Sequence, residues 1–260
     1  MFSHYLSHIG GTLTQFIIEK PLTTPFQAAL TCSQINGLST WSNMSFLARK
    51  NSLFKSLPCS IINAVPLTIS EQLAIRLLLT EKEKQTHKIS LCKQLAVTSL
   101  STITSFPFTY LEIINRTRCC SDINIKDIKY AIPRPLNIPI IPLYWNILRN
   151  ITYSTSHSFT SLKLQNTKYF SSNSLIKTNA ISSMVGTLLS YPFDVLLVRS
   201  IHNYSTGFSP SLLTHGICTQ LLLNVCLSSV YGYLAERYYE KHPLKRSLFG
   251  SIKSMFFASQ

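Results

Sequence analysis

Apolar residues along this chain come in long blocks separated by short charged stretches. Within each block the polar positions are filled by Ser, Thr and Asn rather than by charge. Residues 21–48, 94–111, 178–193 and 200–235 contain no Lys, Arg, Asp or Glu. Runs of this kind suit helices that cross a bilayer, which need about 20 predominantly apolar residues. Six helical segments follow from the pattern, running from about His4 to Gln34, Pro58 to Thr80, Leu91 to Cys120, Pro139 to Phe159, Ser174 to Asn203 and Ser211 to Glu240. The second ends at the charged loop Glu81-Lys82-Glu83-Lys84. The predicted fold class is an all-α membrane protein of six tilted transmembrane helices. The odd-numbered segments approach thirty residues, so they must tilt, kink or project from the hydrocarbon.

Hydroxyl-rich stretches such as Ser99-Leu100-Ser101-Thr102-Ile103-Thr104-Ser105 are tolerable in lipid. A Ser or Thr hydroxyl can bond back to a carbonyl of its own helix. So many of them imply helices with one lipid face and one polar face. Two readings of the polar faces stay open: glue between packed helices, or the lining of a polar cavity.

Composition agrees with a bilayer. Charged residues make up 13% of the 260 positions and hydrophobic residues 45%. The charged share is about half that of soluble domains, which place charge on every exposed helix face. Mean hydropathy is +0.17. The net charge of +14 is carried by short connecting segments, among them 49–55, 116–134 and 237–246. A nucleic-acid binder gathers its Lys and Arg on one element with interleaved aromatics. The observed placement suits loops beside anionic lipid instead, and no nucleic-acid partner is expected.

Candidate chemistry is sparse. The seven cysteines show no CxxC spacing and mostly lie in apolar runs, where they act as small hydrophobes; no zinc site or disulfide framework is expected. The seven histidines are scattered singly, and no P-loop, GxGxxG, HExxH or GxSxG motif occurs. No enzyme, metal or catalytic residue is therefore expected. Residues 1–18 contain no Arg or Lys, unlike an Arg-rich transit peptide, and read as the start of a structural helix.

Each odd segment carries an internal proline: Pro21, Pro107 and Pro192, spaced 86 and 85 residues apart. Ser105-Phe106-Pro107-Phe108 and Ser190-Tyr191-Pro192-Phe193 share a Ser-aromatic-Pro-Phe core, and both precede an arginine (Arg116, Arg199). Pro21 is preceded by Glu19-Lys20. A helix-pair unit used three times accounts for this, with repeats at 1–85, 86–170 and 171–241 in a single membrane domain, followed by a basic tail at 242–260.

At these residues the chain resembles the mitochondrial carrier family, whose three repeats each hold a long kinked odd helix, a short matrix helix and an even helix. The family's odd helix ends in Pro, any residue, Asp or Glu, two residues, then Lys or Arg. Pro192-Phe193-Asp194-Val195-Leu196-Leu197-Val198-Arg199 is similar to the third-repeat version, while Pro107 to Glu112 and Pro21 to Phe26 are more worn. Pro21, Pro107, Pro192, Asp194 and Arg199 are the signature positions retained. The acidic positions hold Thr23, Thr109 and Asp194, and the basic positions Phe26, Glu112 and Leu197. In the family these positions form a ring of ion pairs that opens and closes during transport. Here no inter-repeat pair is expected at them, with Asp194 pairing instead with Arg199 or another nearby base, or lying exposed at the membrane surface. The even-helix network is worn too: Glu71 with Arg76 is off its spacing. With no glycine on the third helix, close packing there is expected to rely on Ala96, Ser99 and Ser101. Lys and Arg divide too evenly between the two sides to set orientation.

The resemblance implies a multi-pass mitochondrial inner-membrane protein with membrane lipid as a partner and with cardiolipin a candidate bound lipid, other cofactors being absent. Loss of the gating ring implies a structural or accessory subunit of a respiratory-chain membrane complex, partnered by its other subunits, with the tail as a clamp. The alternative is a divergent solute carrier for a small anionic metabolite, with Asn63, Asn146, Arg149, Gln220 and Asn224 as cavity residues. Arg149 stands out, because a mid-helix arginine in a membrane segment is costly and seldom idle.

Overall fold

Local sequence explains where each helix starts and stops. The computed structural model describes residues 2–80, 83, 90–118, 139–165, 175–202 and 214–241, of which 2–17, 165, 175 and 234–241 are described by their backbone alone. Among them the protein is all-helical, with seven helices: α1 (Phe2–Asn36), α2 (Thr40–Arg49), α3 (Leu57–Leu78), α4 (Leu91–Arg118), α5 (Ile140–Gln165), α6 (Leu175–Ile201) and α7 (Ile217–Lys241). Gly37, at φ +70, follows the end of α1, a conformation glycine adopts without penalty. Ser39 then caps α2, accepting from the Ser42 amide. Pro58 occupies the first turn of α3, where its missing N–H costs nothing. Prolines lie inside α1 (Pro21, Pro25), α3 (Pro66), α4 (Pro107) and α6 (Pro192).

Six of these helices fall on the segments read from the sequence. Two corrections concern element bounds. The short α2 was not among the six; it forms because Leu47, with Met44 and Leu53, packs on Ala28, Ala29 and Cys32 of α1. The last helix starts at Ile217 rather than near Ser211, because Gly216 sits at φ +83 and breaks the helical path. Residues 211–213, 119–120, the connections at 121–138 and 203–210, and the tail 242–260 lie outside the described residues.

Each long helix packs on the next, and α7 returns to α1. Sequence neighbours run antiparallel. Asn63 meets Phe108 while Cys59 meets Asn115, and Gln94 meets Ser158 while Asn150 meets Thr102. The proline-bearing α1, α4 and α6 also touch one another, and they run parallel: Lys20 meets Glu112 while Gln27 meets Arg116. Phe106, Tyr110, Ile113 and Ile114 of α4 share one apolar cluster with Leu197, Val198 and Ile201 of α6.

The polarity of the bundle is inverted relative to a water-soluble domain. On α3 the exposed face carries Ile62, Val65, Ile69, Leu73 and Leu77, while Ser60, Asn63, Thr68, Ser70 and Glu71 are buried. On α6, Ile181, Met184, Leu188 and Leu189 face out, and Thr178, Asn179, Ser182, Ser183, Thr187 and Ser190 face in. Exposed apolar stripes of this extent mark a surface made for lipid or a protein partner. The helices α3 and, over Ile176–Ile201, α6 are each long and apolar enough to cross a membrane, and Ile217–Tyr233 is a shorter apolar stretch. Inward hydroxyls bond back along their own helices, as the composition required: Thr24 to Lys20 O, Thr68 to Ala64 O, Thr102 to Thr98 O and Thr117 to Ile113 O. One packing expectation fails. Ala96 is exposed, and α4 instead turns Thr98, Thr102, Ser105 and Thr109 inward.

Two predictions follow. A methyl group at Gly216 would meet Leu30 Cδ1 at 2.5 Å and the Tyr191 hydroxyl at 2.9 Å, on a backbone that already disfavours L side chains. Gly216→Ala should cost about 1–3 kcal/mol, read as a lower midpoint of thermal unfolding in detergent. In the α3–α4 connection, Lys93 at 2.7 Å, with the Thr80 amide and hydroxyl, holds the Glu83 carboxyl down to about 2 from an ordinary 4.5. Because the folded value is depressed, the clasp is fully present above 4.5 and lost as pH falls toward 2. Protection of the Thr80 amide from exchange should disappear over that window, and Lys93→Met should remove most of it at neutral pH.

Candidate functional site

Where α1, α4, α5 and α6 converge, the uncharged blocks give way to their few charges, and these find one another across helices. Lys20 Nζ lies 3.4 Å from Glu112 Oε1, both buried. Arg116, one turn beyond, donates to the same carboxylate and, at 2.7 Å, to Gln27 Oε1. Asp194 Oδ1 accepts from Arg149 Nη1 at 2.9 Å, and its Oδ2 accepts from Gln34 Nε2 at 2.7 Å. Arg149 Nε donates to Asn150 Oδ1 at 3.1 Å, and Asn150 Nδ2 donates to Thr102 Oγ1 at 2.9 Å. At the same end Arg199 donates to Ile35 O, and His202 Nε2 lies 2.8 Å from Thr117 Oγ1.

Between α5, α6 and α7 further links are neutral. Tyr153 bonds Ser183, Ser183 donates to Asn224 O, and Asn224 Nδ2 donates to Thr187 Oγ1 at 2.8 Å. Tyr231 of α7 donates to Glu19 of α1. The helix pairs α4–α5, α5–α6, α6–α7 and α7–α1 are thus each joined by at least one side-chain bond.

Two of the motif positions pair across helices, with bases that are not themselves motif positions: Glu112 of α4 pairs with Lys20 of α1, and Asp194 of α6 pairs with Arg149 of α5. The bases involved lie outside the motif spacing, one residue before Pro21 and on an adjacent even helix, so periodicity cannot register them. Of the partners foreseen for Asp194, the structure selects another base over Arg199. Pro21, Pro107 and Pro192 are half-buried within their helices. Asn63 donates to Phe108 O at 3.0 Å, Gln220 to Asn224 Oδ1 at 3.4 Å, and Asn146 is buried with no hydrogen-bond partner on Oδ1 among the described residues. Glu71 is buried while Arg76 is exposed, so the two do not act together. The cysteine expectation needs correction as well: Cys32 is disulfide-bonded, to a partner outside the described residues. Cys59, Cys92, Cys218 and Cys226 are free.

Sequence reasoning missed Gln27, Gln34 and Asn150. Uncharged amides in a hydroxyl-rich helix give no distinguishing signal, and only the facing charge gives them a role. Among the described residues no group of His, Cys, Asp and Glu could hold a metal ion. In comparisons with known proteins, no family model and no curated protein matches the chain.

The Arg149–Asp194 pair is largely shielded, with side-chain exposures of 9% and 17%. Removing one partner of such a pair strands the other charge and costs about 3–5 kcal/mol, whereas replacing both with apolar groups is close to neutral. Arg149→Met should therefore sharply lower the thermal midpoint in detergent, and Arg149→Met with Asp194→Leu should recover most of the loss.

Proposed function

We propose that this protein is a mitochondrial inner-membrane protein of six spanning helices, built like a carrier but serving as a structural or accessory subunit of a respiratory-chain membrane complex. The observation that carries the reading is the stitching of α1, α4, α5 and α6 by two buried ion pairs, each anchored further by an amide: Gln27 on Arg116, Gln34 on Asp194. Alternating access requires two states within a few kcal/mol of each other. Charges that are desolvated, paired and held again by neutral partners weight one state heavily, because each clamp costs several kcal/mol to strand. The fold then works as a scaffold. Its outward apolar stripes on α3 and α6 supply the face for lipid and for a neighbouring subunit.

A second reading, a divergent solute carrier, is favoured by buried side-chain atoms without hydrogen-bond partners among the described residues: Asn146 Oδ1, Thr155 Oγ1 and Ser182 Oγ. Groups of this kind are normally satisfied by water, and a hydrated interior suits passage. Against an anionic substrate stands Arg149, whose charge is already met by Asp194.

Native electrophoresis of mitochondrial membranes in mild detergent, with the chain located by mass spectrometry, separates the two. The expected result is co-migration with a large respiratory assembly. Migration near the mass of one chain plus detergent, together with reconstituted solute uptake, would overturn the scaffold reading.

A further inference from the structure

Among the described residues five charged side chains are fully buried: Glu19, Lys20, Glu71, Glu112 and Arg149. Four have partners already on the page. Glu19 accepts from Tyr231, Lys20 and Glu112 face each other, and Arg149 holds Asp194. Glu71 is the exception. It is 6% exposed, its Oε1 has no hydrogen-bond partner, and no ion pair reaches it among the described residues. Three acids against two bases leave the interior short of one positive charge, in a protein whose net charge is +14.

Register shows why the described bases of the ionic cluster do not supply that charge. On α3, Cys59 is level with Asn115 and Asn63 with Phe108. The Lys20–Glu112–Arg116 cluster therefore lies near Ser60, about 16 Å along the helix from Glu71 at 1.5 Å per residue. Continuing the antiparallel register places Glu71 opposite the stretch of α4 that holds the buried hydroxyls of Thr98 and Thr102. Thr102 also belongs to the chain that runs through Asn150 to Arg149, and Arg149 is turned onto Asp194. On α4 the groups opposite Glu71 are thus hydroxyls, which can solvate a small cation but cannot neutralise a carboxylate. On its own helix Thr68 and Ser70 are buried beside it.

Among the described residues no base pairs with this carboxyl, and removed from water it is too costly as a bare anion, so a proton or another cation from outside the chain must neutralise it. Inside a membrane bundle such a residue marks a site rather than a scaffold position. We propose that Glu71 is an internal binding site for a small monovalent cation, in which a primary ammonium group exchanges for a proton on the carboxyl. Exchange conserves charge: the ammonium enters, the carboxyl proton leaves to water, and no bond other than O–H is broken. The carboxyl oxygens of Glu71 and the hydroxyls of Thr98 and Thr102 are acceptors of the kind the three donors of an ammonium head require. An anionic metabolite would meet a carboxyl at this point and is disfavoured. This proposal goes beyond the scaffold reading and does not depend on it, since an accessory subunit can hold a cation as well as a carrier can.

The test uses the full chain in lipid nanodiscs and dicyclohexylcarbodiimide, a lipid-soluble reagent that captures protonated carboxyls. Peptide mass spectrometry should find the adduct on Glu71 and not on Glu112, whose carboxylate is held by Lys20 and Arg116. Methylammonium should protect, slowing the labelling about tenfold at ten times its half-protecting concentration. It should also raise the thermal midpoint of the native chain but not of Glu71→Gln, a near-isosteric change that keeps the hydrogen-bonding capacity. Absence of label on Glu71 in the native protein, with label appearing only after denaturation, would overturn the proposal. So would labelling that methylammonium leaves unchanged at every concentration. Neither result alters the migration of the chain on a native gel, so failure here and failure of the scaffold reading are distinguishable.

Discussion

Polar groups buried in this bundle are satisfied mainly by other groups of the bundle, and most of the architecture follows from that constraint. The outward faces of α3 and α6 are apolar, so these helices cannot turn Asn63, Thr68 or Ser183 toward a solvent that would accept them. The hydroxyls solve the problem locally, by bonding one turn back on the same helix. Longer polar side chains solve it across helices: Asn63 finds the Phe108 carbonyl, Asn150 finds Thr102 and Asn224 finds Thr187. Each such bond fixes the rotation and the sliding register of two helices together. Apolar contacts alone would fix them poorly, because lipid chains compete with Leu on equal footing.

Charge obeys the same constraint more severely. A stranded charge in this interior costs several kcal/mol, so the few charges that enter do so in opposite-sign company. Lys20 with Glu112 and Arg149 with Asp194 are both pairs between different helices, and both lie where the proline-bearing helices converge. Elsewhere α5, α6 and α7 are joined by neutral bonds from Tyr153 and Asn224, and Tyr231 ties α7 to Glu19 of α1. Among the described residues Glu71 is the buried charge that departs from the rule.

Helix positions were legible from the chain because two simple signals coincide. Uncharged blocks set the long elements, and Gly and Pro punctuate them; the observed α3, α4 and α6 begin and end within a few residues of the expected segments. The short α2 was hidden because its signal is a single cap and one buried leucine, too little to rise above an irregular loop. The polar network was only half legible. Asp194, Arg149 and Asn224 could be singled out by type, while Gln34 and Gln27 look like any other amide.

What the sequence determined by itself is the helical class, the position of the long helices and the presence of a polar face on each apolar helix, since these depend on residues within a turn or two of one another. Tertiary structure alone decided which charges meet. Glu112 looks like a sign error when judged by its own motif, and becomes an ordinary ion pair once α1 brings Lys20 beside it. Arg149 looks like an anion receptor until Asp194 is placed against it. Pairing across 92 residues, or across 45, depends on helix rotation and register. Those are set by the whole bundle's effort to bury its polar atoms, and no local stretch of sequence encodes them.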